Sequence, residues 1–288
     1  MIDLTNCEEE LNSYKGSEKK KKLIYNNKKY LVKFPDPIRQ KNRSISYINN
    51  AFSEYIGSNI FKMVGFKTQN TILGYYQYEC IKKIVCACED FTSENEMLYE
   101  FESLALGTNL NKKIETEITD IIDVLNESKN LMDIDTIRDK FWDMFVIDFL
   151  IGNTDRHNGN WGFILNKENK KIKFAPIYDC GSCLNPLLED SEIKELTNVE
   201  LKNLALNTYS CLKEDGKKIN YISFMKDGKN VDCKKAIKRV FKNIDMDEIK
   251  SFINETPEIS KERKDFYNNI LEMRYEIISR VYDELNRI

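Results

Sequence analysis

The stretch of sequence that most constrains the fold is a polar loop near the middle of the chain, Ile151–Phe163. It follows a predicted amphipathic helix and precedes a predicted β-hairpin, so we expect an ordered loop. Packing many polar groups into such a loop adds little to stability, because a buried polar group costs free energy unless it is paired. The loop therefore indicates a functional site. Its side chains suited to binding or catalysis are Asn153, Asp155, His157, Asn158 and Asn160.

A further aspartate, Asp179, lies 19 residues after Asn160, just past the second strand of the predicted hairpin. This arrangement supplies the groups that metal-assisted phosphoryl transfer needs. Asp155 would orient the attacking hydroxyl and accept its proton, and Asn160 and Asp179 would offer hard oxygen ligands to Mg²⁺. Protein kinases have the same spacing between the catalytic loop and the metal-binding D-F-G motif, which here is Asp179-Cys180-Gly181.

Two upstream residues extend this pattern. Lys33 ends a predicted strand, and Glu54 lies in the predicted helix that follows it. In protein kinases a lysine–glutamate pair at these places fixes the α- and β-phosphates of the nucleotide. A strand lysine alone would be interpreted as a solvated surface residue. Lys33, Glu54, the Asp155–Asn160 loop and Asp179 occur in the order that a kinase requires, each on the required kind of element. Together these four signals predict a nucleotide-dependent phosphotransferase.

The predicted secondary structure changes character near residue 92. Before it, β-branched and aromatic runs predict a small five-stranded antiparallel sheet with one helix over about 46–64. After it, the periodicity is mainly helical, with one hairpin over 161–175. The predicted fold class is α+β: a bilobal protein-kinase-like fold with a sheet lobe over 1–92 and a larger helical lobe over 93–288. The helices expected in the second lobe lie near 114–127, 135–151, 191–206, 233–255 and 260–287.

These motifs resemble those of the HipA-like serine/threonine kinases, in particular the compact CtkA-like members that lack an extra N-terminal subdomain. The resemblance covers most of the chain, from about Tyr14 to Tyr221, and is weaker beyond. Cys88–Phe91 is similar to the hinge of that family, where backbone groups hydrogen-bond adenine. The most specific matching parts are Asn153–Asn160, Ala175–Asp179, Tyr30–Phe34 and Ser53–Tyr55.

The resemblance implies roles for individual residues, with ATP and Mg²⁺ as cofactors. Asp155 would be the catalytic base, and Asn160 and Asp179 would be the metal ligands. Lys33 would bind phosphates and contribute to catalysis. The nucleotide-binding residues that the resemblance implies are Lys33, Glu54, Gly16, Ser17, Cys88, Glu89 and Phe91.

The phosphate loop departs from the pattern of ordinary protein kinases. Lys15–Lys19 contains one glycine, Gly16, where those kinases have G-x-G-x-x-G. HipA-like enzymes also use a short, atypical loop and modify a serine in it. Ser17 matches that serine, so the resemblance implies autophosphorylation at Ser17, with Ser13 and Ser44 as alternatives.

Other chemically suggestive residues have structural interpretations. Asp148 falls on the apolar stripe of the helix before the loop, where a carboxylate needs partners, so we expect it to brace the loop. His157 is the only histidine, which excludes a histidine-cluster metal site. We expect it to form hydrogen bonds with backbone groups or with the Asp179 segment. Cys180 and Cys183 form a C-x-x-C motif without a second matched pair, which favours reduced packing thiols.

Charge and hydropathy exclude several classes of protein. The 44 Lys and Arg against 47 Asp and Glu give a net charge of −3, which argues against direct nucleic-acid binding. No apolar run is long enough for a transmembrane helix, and the acidic start Met1–Glu10 differs from a signal peptide. We therefore expect a cytoplasmic protein with reduced cysteines, unless it is exported as an effector.

The residues leave the acceptor open. The resemblance implies serine or threonine in a protein, a toxin or effector setting, and a helix-turn-helix antitoxin as a partner. Asp155–Asn160 is also similar to the D-R-H-x-x-N loop of phosphoinositide kinases, so a lipid kinase is an alternative. A third alternative is a pseudokinase that binds nucleotide as an interaction module. The complete set of Lys33, Asp155, Asn160 and Asp179 counts against that third alternative.

Overall fold

The computed structural model describes residues 1–10, 20–35, 48–78, 80–106, 116–128, 131 and 133–287. These residues form a six-stranded sheet, a three-stranded sheet, a two-stranded hairpin and ten helices. The predicted α+β class is confirmed. The predicted lobe boundary near residue 92 falls between the last strand of the six-stranded sheet and the first strand of the three-stranded sheet, and it stays a prediction.

The strands of the six-stranded sheet are β1 Ile2–Asp3, β2 Glu8–Glu10, β3 Lys20–Tyr25, β4 Lys28–Lys33, β5 Thr71–Tyr78 and β6 Ile81–Glu89. Their order in the sheet is β1-β5-β6-β4-β3-β2. The pairs are antiparallel except β1 with β5, which run parallel. Asn26 and Asn27 join β3 to β4 with φ angles of 48° and 60°, a left-handed turn that asparagine tolerates better than most residues.

The predicted sheet of five antiparallel strands has six strands in the structure, and one of its pairs is parallel. Gly74 lies inside the continuous strand Thr71–Tyr78 and lets β1 approach, since a Cβ there would come within 2.9 Å of the Ile2 carbonyl oxygen. The strands β1 and β2 were missed because they are only two and three residues long and mostly acidic.

The helix α1, Asn50–Met63, packs on the sheet and determines which residues face the site. Successive strand residues point to opposite faces, and Lys33 pairs in register with Cys86. Cys86 and Cys88 are fully buried in one cluster with Ala51 of α1, so this face of the sheet is covered by the helix. The opposite face holds a second buried cluster that includes Leu23, Val32, Phe34 and Val85.

The rest of the described chain is mainly helical and surrounds the largest buried cluster. Both tryptophans belong to that cluster: Trp161 stacks on Phe101 with ring centroids 4.3 Å apart, and Trp142 packs parallel to Phe224 at 5.8 Å. None of the helices in the described ranges combines the length and apolar character needed to span a bilayer. The remaining strands are β7 Glu96–Glu100, β8 Gly162–Asn166, β9 Ile172–Phe174, β10 Tyr209–Glu214 and β11 Lys217–Asn220.

The predicted helices are present, and two of them are divided. The 191–206 helix is two helices because Thr197 caps a new one, and the 233–255 helix is interrupted before Asp245, which caps the next. The helices are α2 Phe101–Leu106, α3 Ile118–Glu127, α4 Ile134–Ile151, α5 Asp190–Glu195, α6 Asn198–Leu206, α7 Tyr221–Asp227, α8 Val231–Phe241, α9 Met246–Glu255 and α10 Lys261–Arg287.

Candidate active site

Lys33, Glu54 and Asp179 form a single ion cluster between the sheet, α1 and the segment after β9. The Lys33 Nζ lies 2.7 Å from Glu54 Oε2 and 2.7 Å from Asp179 Oδ1. Lys33 and Glu54 are buried, whereas a third of the Asp179 side chain is exposed. These three residues are far apart in the sequence, and their charged groups are in direct contact in the structure.

Lys33 keeps Asp179 ionised. Burial alone would raise the pKa of Asp179, but the Lys33 ammonium, through its charge and its hydrogen bond, lowers that pKa to about 2. Asp179 itself has a φ of 57°, a left-handed conformation that is uncommon outside glycine and is often found at functional sites. The neighbouring Gly181 leaves room for Glu54, since a Cβ there would lie 3.3 Å from Glu54 Oε2.

Gly152 directly follows the last residue of α4, and its φ of 67° lets the chain turn out of the helix into the predicted catalytic loop. Asn153 follows and fixes the start of the loop: its Nδ2 donates to Asp148 Oδ1 at 2.9 Å, and its Oδ1 accepts from the Asp155 backbone N–H at 3.1 Å. Further along, Asn160 Nδ2 donates to the Asp155 carbonyl oxygen at 2.8 Å. Both sides of Asp155 are thus held by side-chain amides.

Arg156, which the sequence analysis did not single out, joins the catalytic loop to the Asp179 segment. Its guanidinium donates to both carboxylate oxygens of Asp148 at 3.0 Å. It also donates to the carbonyl oxygens of Asn160, Tyr178 and Asp179. Arg156 and Asp148 are only 2% and 1% exposed. A bidentate, planar group of this kind fixes several backbone segments at once.

Asp148 and His157, which the sequence analysis gave structural roles, both form hydrogen bonds with residues of the loop. Asp148 contacts Asn153 and Arg156, which both belong to the loop that it was expected to brace. His157 is exposed, and its Nδ1 accepts from the Gly159 backbone N–H at 3.0 Å. This hydrogen bond between Gly159 and His157 closes a local turn inside the loop.

The carboxyl of Asp155 is half-buried and lies among charged groups. Burial raises its pKa above the usual value, and Asp179 raises it further, whereas His157, Arg156 and Lys218 lower it. The residue has no ion pair among the described residues. Its carboxylate is therefore available to a ligand, with a proton affinity above that of an ordinary aspartate.

The donor set fits a magnesium ion better than a transition metal. No group of three or more His, Cys, Asp or Glu that could hold a metal ion occurs in the described ranges. Asn160 and Asp179 offer an amide and a carboxylate oxygen on neighbouring segments, both tied to Arg156 through their backbone carbonyls. Mg²⁺ is commonly held by one or two carboxylates together with phosphate oxygens and water.

The predicted hinge lies at the end of β6. Cys88 is fully buried within the sheet. Both backbone groups of Glu89 form hydrogen bonds within the protein: its N–H donates to the Asn70 carbonyl oxygen, and its C=O accepts from Gln69 Nε2. The N–H and C=O of Phe91 have no hydrogen bond among the described residues. Its ring packs 5.9 Å from that of Tyr178, just before Asp179.

Gly16 and Ser17 of the predicted phosphate loop lie outside the described residues. Cys180 and Cys183 are fully buried and free, and burial raises the pKa of Cys180 to about 12. The latter value keeps the thiol protonated, as expected of a packing residue.

Comparison with known proteins gives consistent matches. The model of the HipA-like C-terminal domain matches residues 12–247. The serine/threonine-protein kinase CtkA of Helicobacter pylori strain J99 is 40% identical over 283 residues, covering 95% of this chain and 85% of that protein.

Solved structures extend these matches to the fold. The crystal structure of a Helicobacter pylori proinflammatory kinase CtkA superimposes with a TM-score of 0.88 at 38% identity, covering 99% of this chain and 98% of that one. HipA of Shewanella oneidensis, in a complex with HipB and operator DNA, matches with a TM-score of 0.56 at 13% identity. That match covers 93% of this chain and 66% of the other and extends to the fold alone.

Proposed function

This chain belongs to the HipA-like C-terminal domain family, and we propose that it is an ATP- and Mg²⁺-dependent serine/threonine protein kinase. The observation that most supports the proposal is the contact of Lys33 with both Glu54 and Asp179, as expected for the nucleotide side of a kinase site. The half-buried Asp155 on the neighbouring loop would be the group that meets the acceptor hydroxyl.

On the nucleotide side, Lys33 would bind the α- and β-phosphates. Its ammonium has three N–H donors, so it can keep Glu54 and exchange or share its contact with Asp179 when phosphate oxygens arrive. Glu54, which is fully buried, holds the ammonium at the mouth of the site. The Phe91 backbone groups would recognise adenine, because those of Glu89 are already used.

Asp179 and Asn160 would hold Mg²⁺. Asp179 meets the requirement of a metal ligand because it stays ionised at any physiological pH. Asn160 is oriented by its own Nδ2 hydrogen bond to the Asp155 carbonyl, which leaves Oδ1 as the ligand atom. When bound, the ion would neutralise charge on the phosphates.

On the acceptor side, Asp155 would orient the serine or threonine hydroxyl and accept its proton. Its raised pKa suits a group that must bind a proton transiently during transfer. The phosphoryl group would pass from the leaving oxygen of ADP to the acceptor oxygen in line, and the proton would pass from the hydroxyl to the Asp155 carboxylate. Arg156 would keep the two loops at a fixed separation during the step.

Mass spectrometry of the protein after incubation with Mg-ATP tests the proposal. We expect added phosphate on serine or threonine in the parent and none in Asp179→Ala. A parallel incubation with inositol-lipid vesicles and labelled ATP separates a protein kinase from a lipid kinase, because only the latter would label the lipid. A parent that transfers phosphate to neither protein nor lipid would refute the proposal.

Autophosphorylation at Ser17 and a helix-turn-helix antitoxin partner belong to the same proposal. A phosphate on Ser17 would add about −1.5 to −2 charge near the incoming phosphates of ATP. The lysines at 15, 19 and 20 could hold that charge and keep the loop away from the nucleotide, which would switch the enzyme off. An effector role outside the cytoplasm is compatible with the same chemistry.

A further inference from the structure

A cavity of about 780 Å³ lies beside Asp155, and the residues that bind nucleotide in our proposal do not line it. Thr154 and Asp155 form the part of its wall that belongs to the catalytic loop. The helix α6, the β10–β11 hairpin and α10 form other parts of the wall, through Asn203, Lys218 and Arg274. A hydroxyl that reaches Asp155 opposite the nucleotide would enter through a space of this kind.

The charged groups of this cavity differ in how far the protein already satisfies them. Glu200 lies in the first turn of α6, and its Oε2 accepts from the Thr197 N–H at 2.9 Å and the Thr197 Oγ1–H at 2.7 Å. A carboxylate there is also stabilised by the positive end of the helix dipole. Its negative charge therefore has partners within the protein.

Arg274 is similarly committed. It is 1% exposed, and its guanidinium donates to the carbonyl oxygens of Leu150, Leu204 and Ala205 at the C-terminal ends of α4 and α6. Helix C-termini have a partial negative charge, which suits a cation. Burial lowers the pKa of Arg274 to about 10, and it remains charged at neutral pH.

Lys218 has no such partners. Its side chain is exposed on β11 and forms no ion pair or hydrogen bond with any described residue. It lines the cavity together with Asp155 and is one of the groups that lower the pKa of that carboxyl. Among the described residues that line the cavity, its ammonium is thus the positive charge that is left for a ligand.

We propose that this cavity binds the acceptor polypeptide and that Lys218 selects acceptors with an acidic side chain close to the phosphorylated serine or threonine. We infer a peptide segment as the occupant for two reasons. A serine or threonine hydroxyl of the acceptor must reach Asp155, and the wall contains both polar and apolar groups, which suit the polar and apolar side chains of a peptide. The inference rests on the proposed kinase function only in taking Asp155 as the group that meets the acceptor.

The test uses two labelled peptides of equal length with a central alanine, one flanked by aspartates and the other by lysines. Binding is measured by fluorescence anisotropy with Mg²⁺ and a non-hydrolysable ATP analogue, so that no transfer is needed. We expect the parent to bind the acidic peptide about tenfold more tightly, and Lys218→Glu to lose or reverse this ratio, since an attraction becomes a repulsion. Added salt should reduce the difference between the affinities for the two peptides, because it screens the interaction between charges.

Lys217→Glu is the matched control. Lys217 is the exposed neighbour on the same strand, its side chain points to the other face, and it does not line the cavity. It should keep the parent ratio. Equal binding of the two peptides by the parent, or equal loss of the ratio in both variants, would overturn the inference. An acidic preference in a protein that transfers no phosphate would instead support the inference and refute the proposed kinase function.

Discussion

Arg156→Met gives the sharpest test of how the site is held together. The substitution removes a guanidinium that is 2% exposed and leaves Asp148, which is 1% exposed, without its counter-charge. Breaking a buried ion pair from one side costs about 3–5 kcal/mol. The carbonyl oxygens of Asn160, Tyr178 and Asp179 lose a donor at the same time. We therefore expect the free energy of unfolding to fall by about 4 kcal/mol, a large part of what a domain usually has.

The assay is urea unfolding followed by circular dichroism, together with single-turnover phosphoryl transfer. Asp148→Asn combined with Arg156→Met should regain part of the lost stability, because a neutral amide costs less to bury than an unpaired carboxylate and can still accept from Asn153. Transfer should stay about 10²-fold below the parent, since the two loops are no longer aligned. A loss below about 1 kcal/mol in the single variant, or parent-like transfer in the double variant, would refute this reasoning.

Three other predictions concern individual residues of the site. Asp179→Ala should abolish phosphoryl transfer and keep the circular dichroism spectrum, because no neighbouring side chain can replace its ionised carboxylate. Asp155→Asn should keep ATP binding and lower turnover by about 10²–10⁴-fold. In the parent protein, turnover should fall as the pH drops through the raised pKa of Asp155, since only the ionised carboxylate accepts a proton. Glu89→Ala should cost little ATP affinity in calorimetric titration, because its side chain contacts Lys28 and Asn70 within the protein; a large loss would contradict the backbone hinge.

The site residues could be identified from the sequence because each one lies in, or directly follows, a helix or strand with a strong hydrophobic pattern. Lys33 ends a strand, Glu54 lies in a helix with a clear apolar stripe, and Asp155 follows a long helix whose residues are mostly buried. Sequence spacing and element type together imply that they share one cleft. In the structure Lys33 contacts both Glu54 and Asp179.

Features that depend on long-range partners could not be predicted in the same way. Arg156 looked like an ordinary loop cation, and its importance comes from carbonyl oxygens more than 20 residues away in sequence at Tyr178 and Asp179. The β10–β11 hairpin was missed because its strands alternate weakly between polar and apolar residues. The division of the helix at Thr197 did have a local signal, the capping box of Thr197 with Glu200, which a search for caps would have found.

The position of the two tryptophans determines what an optical experiment can see. Both are buried in the helical part, and Trp161 directly follows Asn160 of the catalytic loop. The six-stranded sheet contains none, although it holds Lys33 and its own buried cluster. Tryptophan emission will therefore report changes around the catalytic loop and the helices, while loosening of the sheet leaves it unaltered. An unfolding curve that differs between tryptophan emission and the tyrosine signal would then reveal that the sheet and the helices lose their structure in separate steps.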